Sequence, residues 1–218
     1  MKIAWPRPRR GVAVAALAMA LATGAGARAA SLQECERGDL YSRISACDML
    51  IADPKTDNAT RAVALVSRGY AVYTSTSETD EPLANFSNAT LIDPNNAGAF
   101  IGLGTMHFVR KELDQAEAAF NTAIKLAPND ANVWNSLGTL YDARGNNEEA
   151  LANYDKALTL NKRLPAANLN KADTLVKMGR KGEALAVYRF CLYLFDQRAE
   201  QYSYARDKIE LLEAELKQ

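Results

Sequence analysis

One histidine and three cysteines are all the imidazole and thiol chemistry that 218 residues offer. No HExxH, paired CxxC, phosphate-binding glycine loop, GxGxxG or GxSxG occurs. The expectation is therefore a non-enzymatic protein with no metal site and no cofactor. Seven prolines and twelve glycines are too few for a collagen or a low-complexity chain, and three cysteines are too few for a disulfide-dense scaffold. Neither sign of charge dominates, with 26 basic residues against 26 acidic ones. A nucleic-acid binder that works by neutralising phosphates carries a basic excess, so nucleic acid is not an expected partner. What is present is an ordinary globular composition, 48% apolar, sized for one domain or at most two.

The composition is uneven at the start. Lys2, Arg7, Arg9 and Arg10 precede an apolar run over residues 11–22 (GVAVAALAMALA), which ends in the small-residue site Ala27-Arg28-Ala29. This is the three-part pattern of a secretory signal peptide with cleavage after Ala29. The run is a dozen residues, short of the roughly 20 that span a membrane. Gly11-Val12-Ala13 continues the arginine pair poorly for twin-arginine export, which favours the general secretory route. Cys35 lies too far from the cleavage point for a lipoprotein. The expected location is thus periplasmic or secreted, with no stable membrane insertion after cleavage. Residues 1–29 hold five basic residues and no acid, so the remaining 189 carry 21 bases against 26 acids, a formal charge of −5.

Cysteine placement suits an oxidising compartment. Along one unbroken helix Cys35 and Cys47 would stand about 18 Å apart, beyond the reach of a disulfide. Gly38-Asp39 breaks the helix between them, so two antiparallel segments can bring them together. The expectation is a Cys35–Cys47 disulfide closing this short N-terminal loop, with two buried thiols as the alternative. Cys191, among Tyr188, Leu192 and Phe195, reads as an inert core thiol.

The fold is carried by a repeat. Phe86, Phe120, Tyr154 and Tyr188 recur every 34 residues, as do Ala89, Ala123, Ala157 and Cys191, and Ala116, Ala150 and Ala184. The same interval relates Pro94 to Pro128, Phe100 to Trp134, Leu103 to Leu137 and Gly104 to Gly138. At these residues the chain resembles the tetratricopeptide repeat family. Its pattern fits residues 131–164 best, through Trp134, Leu137, Gly138, Tyr141, Ala150, Tyr154 and Ala157, with Lys162 where the family favours Pro. His107 stands at a family Tyr position and is expected to be satisfied between helices.

The resemblance implies an all-α fold, a right-handed superhelix of stacked antiparallel helix pairs. The expected layout is an N-terminal cap with a degenerate half-repeat at 30–56, then repeats at about 61–96, 97–130, 131–164 and 165–198 within 57–198. An amphipathic capping helix is expected at 199–218. One extra residue falls in the 74–81 turn, and Gly104 and Gly138 are expected to face Ala116 and Ala150 so that the backbones approach closely. In the family, first-helix positions two, five, nine and twelve line a concave groove. Carried over, these are Tyr70, Tyr73, Ile101, Thr105, Phe108, Asn132, Asn135, Thr139, Asp142, Leu169, Asp173 and Val176, of which Ile101, Phe108 and Leu169 can equally be core. The groove would be aromatic and apolar at its start and polar in the middle, without the basic side chains that hold a C-terminal carboxylate. The function this implies is a scaffold or adaptor for a protein or peptide, in envelope assembly or secretion. The alternative is a structural repeat protein that forms homo-oligomers. Expressed in a bacterial host, the exported chain should begin at Ala30, and an N-terminus read by Edman sequencing at Met1 would refute the cleavable leader.

Overall fold

A computed structural model describes residues 31–217. The expected leader, residues 1–29, lies outside them. Among the described residues there are eleven α-helices and no strand. They divide into two compact units, the first ending at Met106 and the second beginning at His107.

The first unit opens with α1 (Leu32–Arg37) and α2 (Leu40–Ala52), continues through α3 (Asn58–Thr76) and α4 (Asp80–Ile92), and takes in most of α5 (Ala97–Val109). Ser31, Asp39 and Asp57 start α1, α2 and α3 by accepting backbone N–H groups of the first turn. Cys35 and Cys47 form a disulfide that ties α1 to α2, with Cα atoms 4.8 Å apart. Both are fully buried, against Ala46 and Ala64. Closing this short loop stabilises the segment by about 3 kcal/mol on the chain-entropy model. The extra residue in the 74–81 turn is absorbed by lengthening α3, which ends on Ser77 in the left-handed conformation at φ 59°. Arg68 holds three helices together, reaching Asp48 on α2 and Glu81 on α4 from its place on α3.

The second unit contains α6 (Leu113–Leu126), α7 (Ala131–Arg144), α8 (Asn147–Leu160), α9 (Pro165–Lys177), α10 (Lys181–Cys191) and α11 (Glu200–Glu215). Within it, α7 packs on α8 and α9 on α10, and each pair stacks on the next through α8 and α9. Gly145 and Gly179, at φ 83° and 72°, close α7 and end the turn after α9, where a side chain would be strained. Glu117 of α6 clasps α7, accepting from the Tyr141 hydroxyl at 2.7 Å and from Arg144, and these two partners hold its carboxyl below the usual range. His107 is satisfied by Glu112 in its own hairpin, Nδ1 to Oε2 2.5 Å. Cys191 is buried as expected, and burial pushes its thiol up to about 12.

The repeat aromatics set the spacing within the units. Phe86, fully buried, lies against Gly69 and Gly102, where a Cβ would come within 2.9 Å and 2.3 Å of its ring. Tyr154 lies likewise against Gly138, where a Cβ would come within 2.6 Å. The space left by Gly138 is therefore filled by this ring, which corrects the expectation that it lets Ala150 approach. Tyr154 is only 1% exposed and its hydroxyl lies 3.5 Å from Thr139 Oγ1, so the ring has little room to retreat and the glycine is required by volume. Gly138→Ala should lower unfolding free energy by about 1–3 kcal/mol in a urea melt. Gly182→Ala, at a helical site with nothing within 4 Å, should raise it by up to about 0.5–1 kcal/mol.

Candidate functional site

The second unit gathers most of the polar residues singled out from sequence. Asn135, Thr139 and Asp142 lie four and three residues apart on α7, so they share one edge of that helix. The neighbouring first helix, α9, meets this edge with Asn170, Thr174 and Lys177. Asn170 donates through Nδ2 to Asn135 Oδ1 at 3.2 Å and to Thr139 Oγ1 at 3.3 Å. Thr174 donates to Asp142 at 3.0 Å, and Lys177 reaches both oxygens of the same carboxylate at 2.5 and 2.6 Å. The result is a strip of amides, hydroxyls and one ion pair running along two helices.

Asp173 extends the strip to α10 and α11. It accepts from the Tyr188 hydroxyl and, at 2.9 Å, from the Tyr204 hydroxyl, whose rings meet edge to face at 6.5 Å. Lys177 and Lys208 attract its charge. Burial is the largest influence, however, and it raises the Asp173 carboxyl above its ordinary 3.8 despite the two hydroxyl donors and the two lysines. Tyr188 and Tyr204 are in turn pushed up, mainly by burial and also by Asp173.

The remaining sequence candidates are placed differently. Leu169 is only 5% exposed and sits in the core with Leu151, Leu175, Tyr188 and Leu212, which corrects its assignment to the groove. It points inward because α9 packs that side onto α8 and α10. Asn132 is exposed and serves the helix start, its side chain donating to Asp130 at 3.0 Å. Val176 is half-buried against the core. Phe108 is half-buried near the start of the second unit. In the first unit Tyr70 packs edge to face on Phe86 at 4.9 Å, and Thr105 returns its hydroxyl to the Ile101 carbonyl at 2.8 Å. Tyr73 and Ile101 are half-buried there.

Sequence reasoning missed Asn170, Thr174, Lys177 and Tyr204. Positions five, nine and twelve mark one edge of a first helix, whereas its neighbour answers from positions six, ten and thirteen, about 100° further round. The signal was available in the repeat register, since Asn170, Thr174 and Lys177 fill those positions. Their presence also corrects the expectation of a groove without basic side chains. Among the described residues, no cluster of three or more His, Cys, Asp or Glu is arranged to hold a metal, and no helix is long and apolar enough to cross a membrane.

Because the folded unit binds the Asp173 proton more tightly than the unfolded chain, this residue favours folding most below pH 3.8, and its contribution falls as pH rises through the raised value. Asp173→Asn keeps an acceptor for the tyrosines and removes the buried charge. In urea melts it should be more stable than the natural chain at neutral pH, with the difference closing as pH falls below 3.8. A variant less stable at pH 7 would refute the account.

Comparison with known proteins gives a consistent fold. No curated protein matches this sequence. Among solved structures, a thermophilic TPR protein of Thermus thermophilus is 18% identical with TM-score 0.70, over 83% of this chain and all of that one. YrrB, a TPR protein with an unusual peptide-binding site, is 20% identical with TM-score 0.58, over 80% of this chain and 85% of that one. PilF of Pseudomonas aeruginosa is 19% identical with TM-score 0.65, over 85% of this chain and 86% of that one. Family models for the tetratricopeptide repeat match residues 96–163 and 165–197. The chain therefore carries tetratricopeptide repeats over these residues and has the all-helical, pairwise-stacked fold of proteins built from them.

Proposed function

We propose that this protein is an exported, non-enzymatic scaffold that binds an extended segment of a protein partner along the polar strip of its second unit. The observation that carries the reading is the amide pair. Asn170 uses Nδ2 on Asn135 and Thr139, which leaves the Asn135 amide hydrogens and the Asn170 carbonyl oxygen without protein partners among the described residues. A donor and an acceptor side by side match the alternating N–H and C=O groups of an extended backbone. Their orientation is set before any ligand arrives, which reduces the ordering cost of binding. YrrB supports the reading as a fold relative with a peptide-binding site.

Export rests on the leader-like pattern of residues 1–29 and on the Cys35–Cys47 disulfide, a bond that persists in oxidising compartments. The role we assign is support of envelope assembly or secretion, where partner segments are met extended. A second reading, a structural protein that associates with its own copies, draws on Tyr41 of α2 and Tyr193 in the turn after α10, which are 85% and 80% exposed.

The two readings separate in one set of measurements. Asn135→Ala with Asn170→Ala should weaken retention of linear peptides from a displayed decapeptide library by about tenfold, with far-ultraviolet dichroism unchanged. Unchanged retention would sink the groove assignment. Light scattering that shows a concentration-dependent oligomer, lost on Tyr193→Ser, would favour the structural protein.

A further inference from the structure

The 34-residue count does not stop at residue 198. It places Tyr204, Lys208 and Leu211 of α11 one repeat on from Asn170, Thr174 and Lys177 of α9. The hydrogen bonds follow the same count. Asn170 reaches Thr139 at 3.3 Å, and Tyr204 reaches Asp173, the residue 34 on from Thr139, at 2.9 Å. The expected capping helix is thus laid down as the first helix of a fifth repeat, and its edge prolongs the strip of α7 and α9.

One step along this edge the chemistry changes. The counterparts of Asp142 and Lys177, which form an ion pair, are Val176 and Leu211. Val176 is half-buried on the core, while Leu211 stands 53% exposed. The basic side chains beside them differ in how they are held. Lys177 is held by the Asp142 carboxylate, whereas Lys208 lies 5.3 Å from the Tyr204 ring and has no ion pair among the described residues. Asp173 accepts the Tyr188 and Tyr204 hydroxyls through one carboxylate oxygen, Oδ1.

We propose that Val176 and Leu211 form an anchor position for an apolar side chain of the bound segment, and that Lys208 selects an acidic residue beside it. The inference rests on the reading that the polar strip takes an extended peptide, and the occupant is that same peptide. From Asn170 to Val176 is about 9 Å along the helix, so the anchor residue falls at least about three residues from the one held by the amide pair. Covering Leu211 removes apolar surface from water, and Lys208 gives the position its preference for a negative neighbour.

The probe is a displayed library of random linear decapeptides, selected against the full chain and against Leu211→Ser, Lys208→Glu and Asn135→Ala with Asn170→Ala. Leu211 and Lys208 are surface positions, and unchanged dichroism shows that their variants fold. Peptides enriched on the natural chain should share an aliphatic residue beside Asp or Glu. A synthetic peptide of that sequence should lose about tenfold in affinity to the Leu211→Ser chain by fluorescence anisotropy, and Lys208→Glu should remove the acidic preference. Enriched peptides that lack the pattern and bind Leu211→Ser unchanged, yet fail on the asparagine double variant, would overturn the anchor and leave the groove reading intact. Peptides held equally by all variants would overturn both. An oligomer in light scattering that Leu211→Ser abolishes would assign the residue to a self-contact and refute the proposal.

Discussion

In both units an aromatic side chain from a second helix occupies the space that a glycine on a first helix leaves open: Phe86 against Gly69 and Gly102, Tyr154 against Gly138. The helices approach as closely as a ring lying on a backbone allows, and the distance is set by volume, since protein interiors leave no room for another methyl group. Everything built on the first helices inherits that spacing. The neighbouring edges of α7 and α9 come close enough for Asn170 to bridge Asn135 and Thr139, and Tyr204 closes the same gap to Asp173.

The polar strip has an internal logic of satisfied groups. Asp142 is answered by Thr174 and Lys177, and Asp173 by two tyrosine hydroxyls. Among the described residues no fully buried side-chain nitrogen or oxygen is left without a partner. The ordering is therefore local and prepaid by folding, and in the amide pair the Asn135 amide hydrogens and the Asn170 side-chain oxygen have no protein partner among the described residues. Such a pair discriminates by backbone pattern and by what lies next to it, which is why the apolar and basic residues of α9 and α11 matter.

Much of the fold was legible because its constraints are periodic. A residue that must meet the same neighbour in each repeat recurs at the same offset, so Phe86, Tyr154 and Tyr188 mark the helix pairs in the sequence. The disulfide was half legible. The helix break at Gly38-Asp39 permitted the pairing of Cys35 with Cys47, but two buried thiols satisfied the same spacing. The site was legible on one helix only. Asn135, Thr139 and Asp142 were found by their positions on α7, whereas Leu169, chosen by the same rule on α9, is core. The rule fixes one edge of a helix, and a strip between helices needs both.

By itself the sequence determined the helical class, the 34-residue register and the scarcity of catalytic groups, because each depends on residue types at fixed intervals along the chain. The tertiary structure decided which edges meet. It turned Leu169 inward, brought Asn170 and Lys177 to the α7 edge, joined Cys35 to Cys47 and set Tyr204 on Asp173. Those outcomes depend on the rotation of each helix against its neighbour. A rotation of one residue is about 100°, enough to exchange a core position for a surface one while leaving the periodic pattern unchanged.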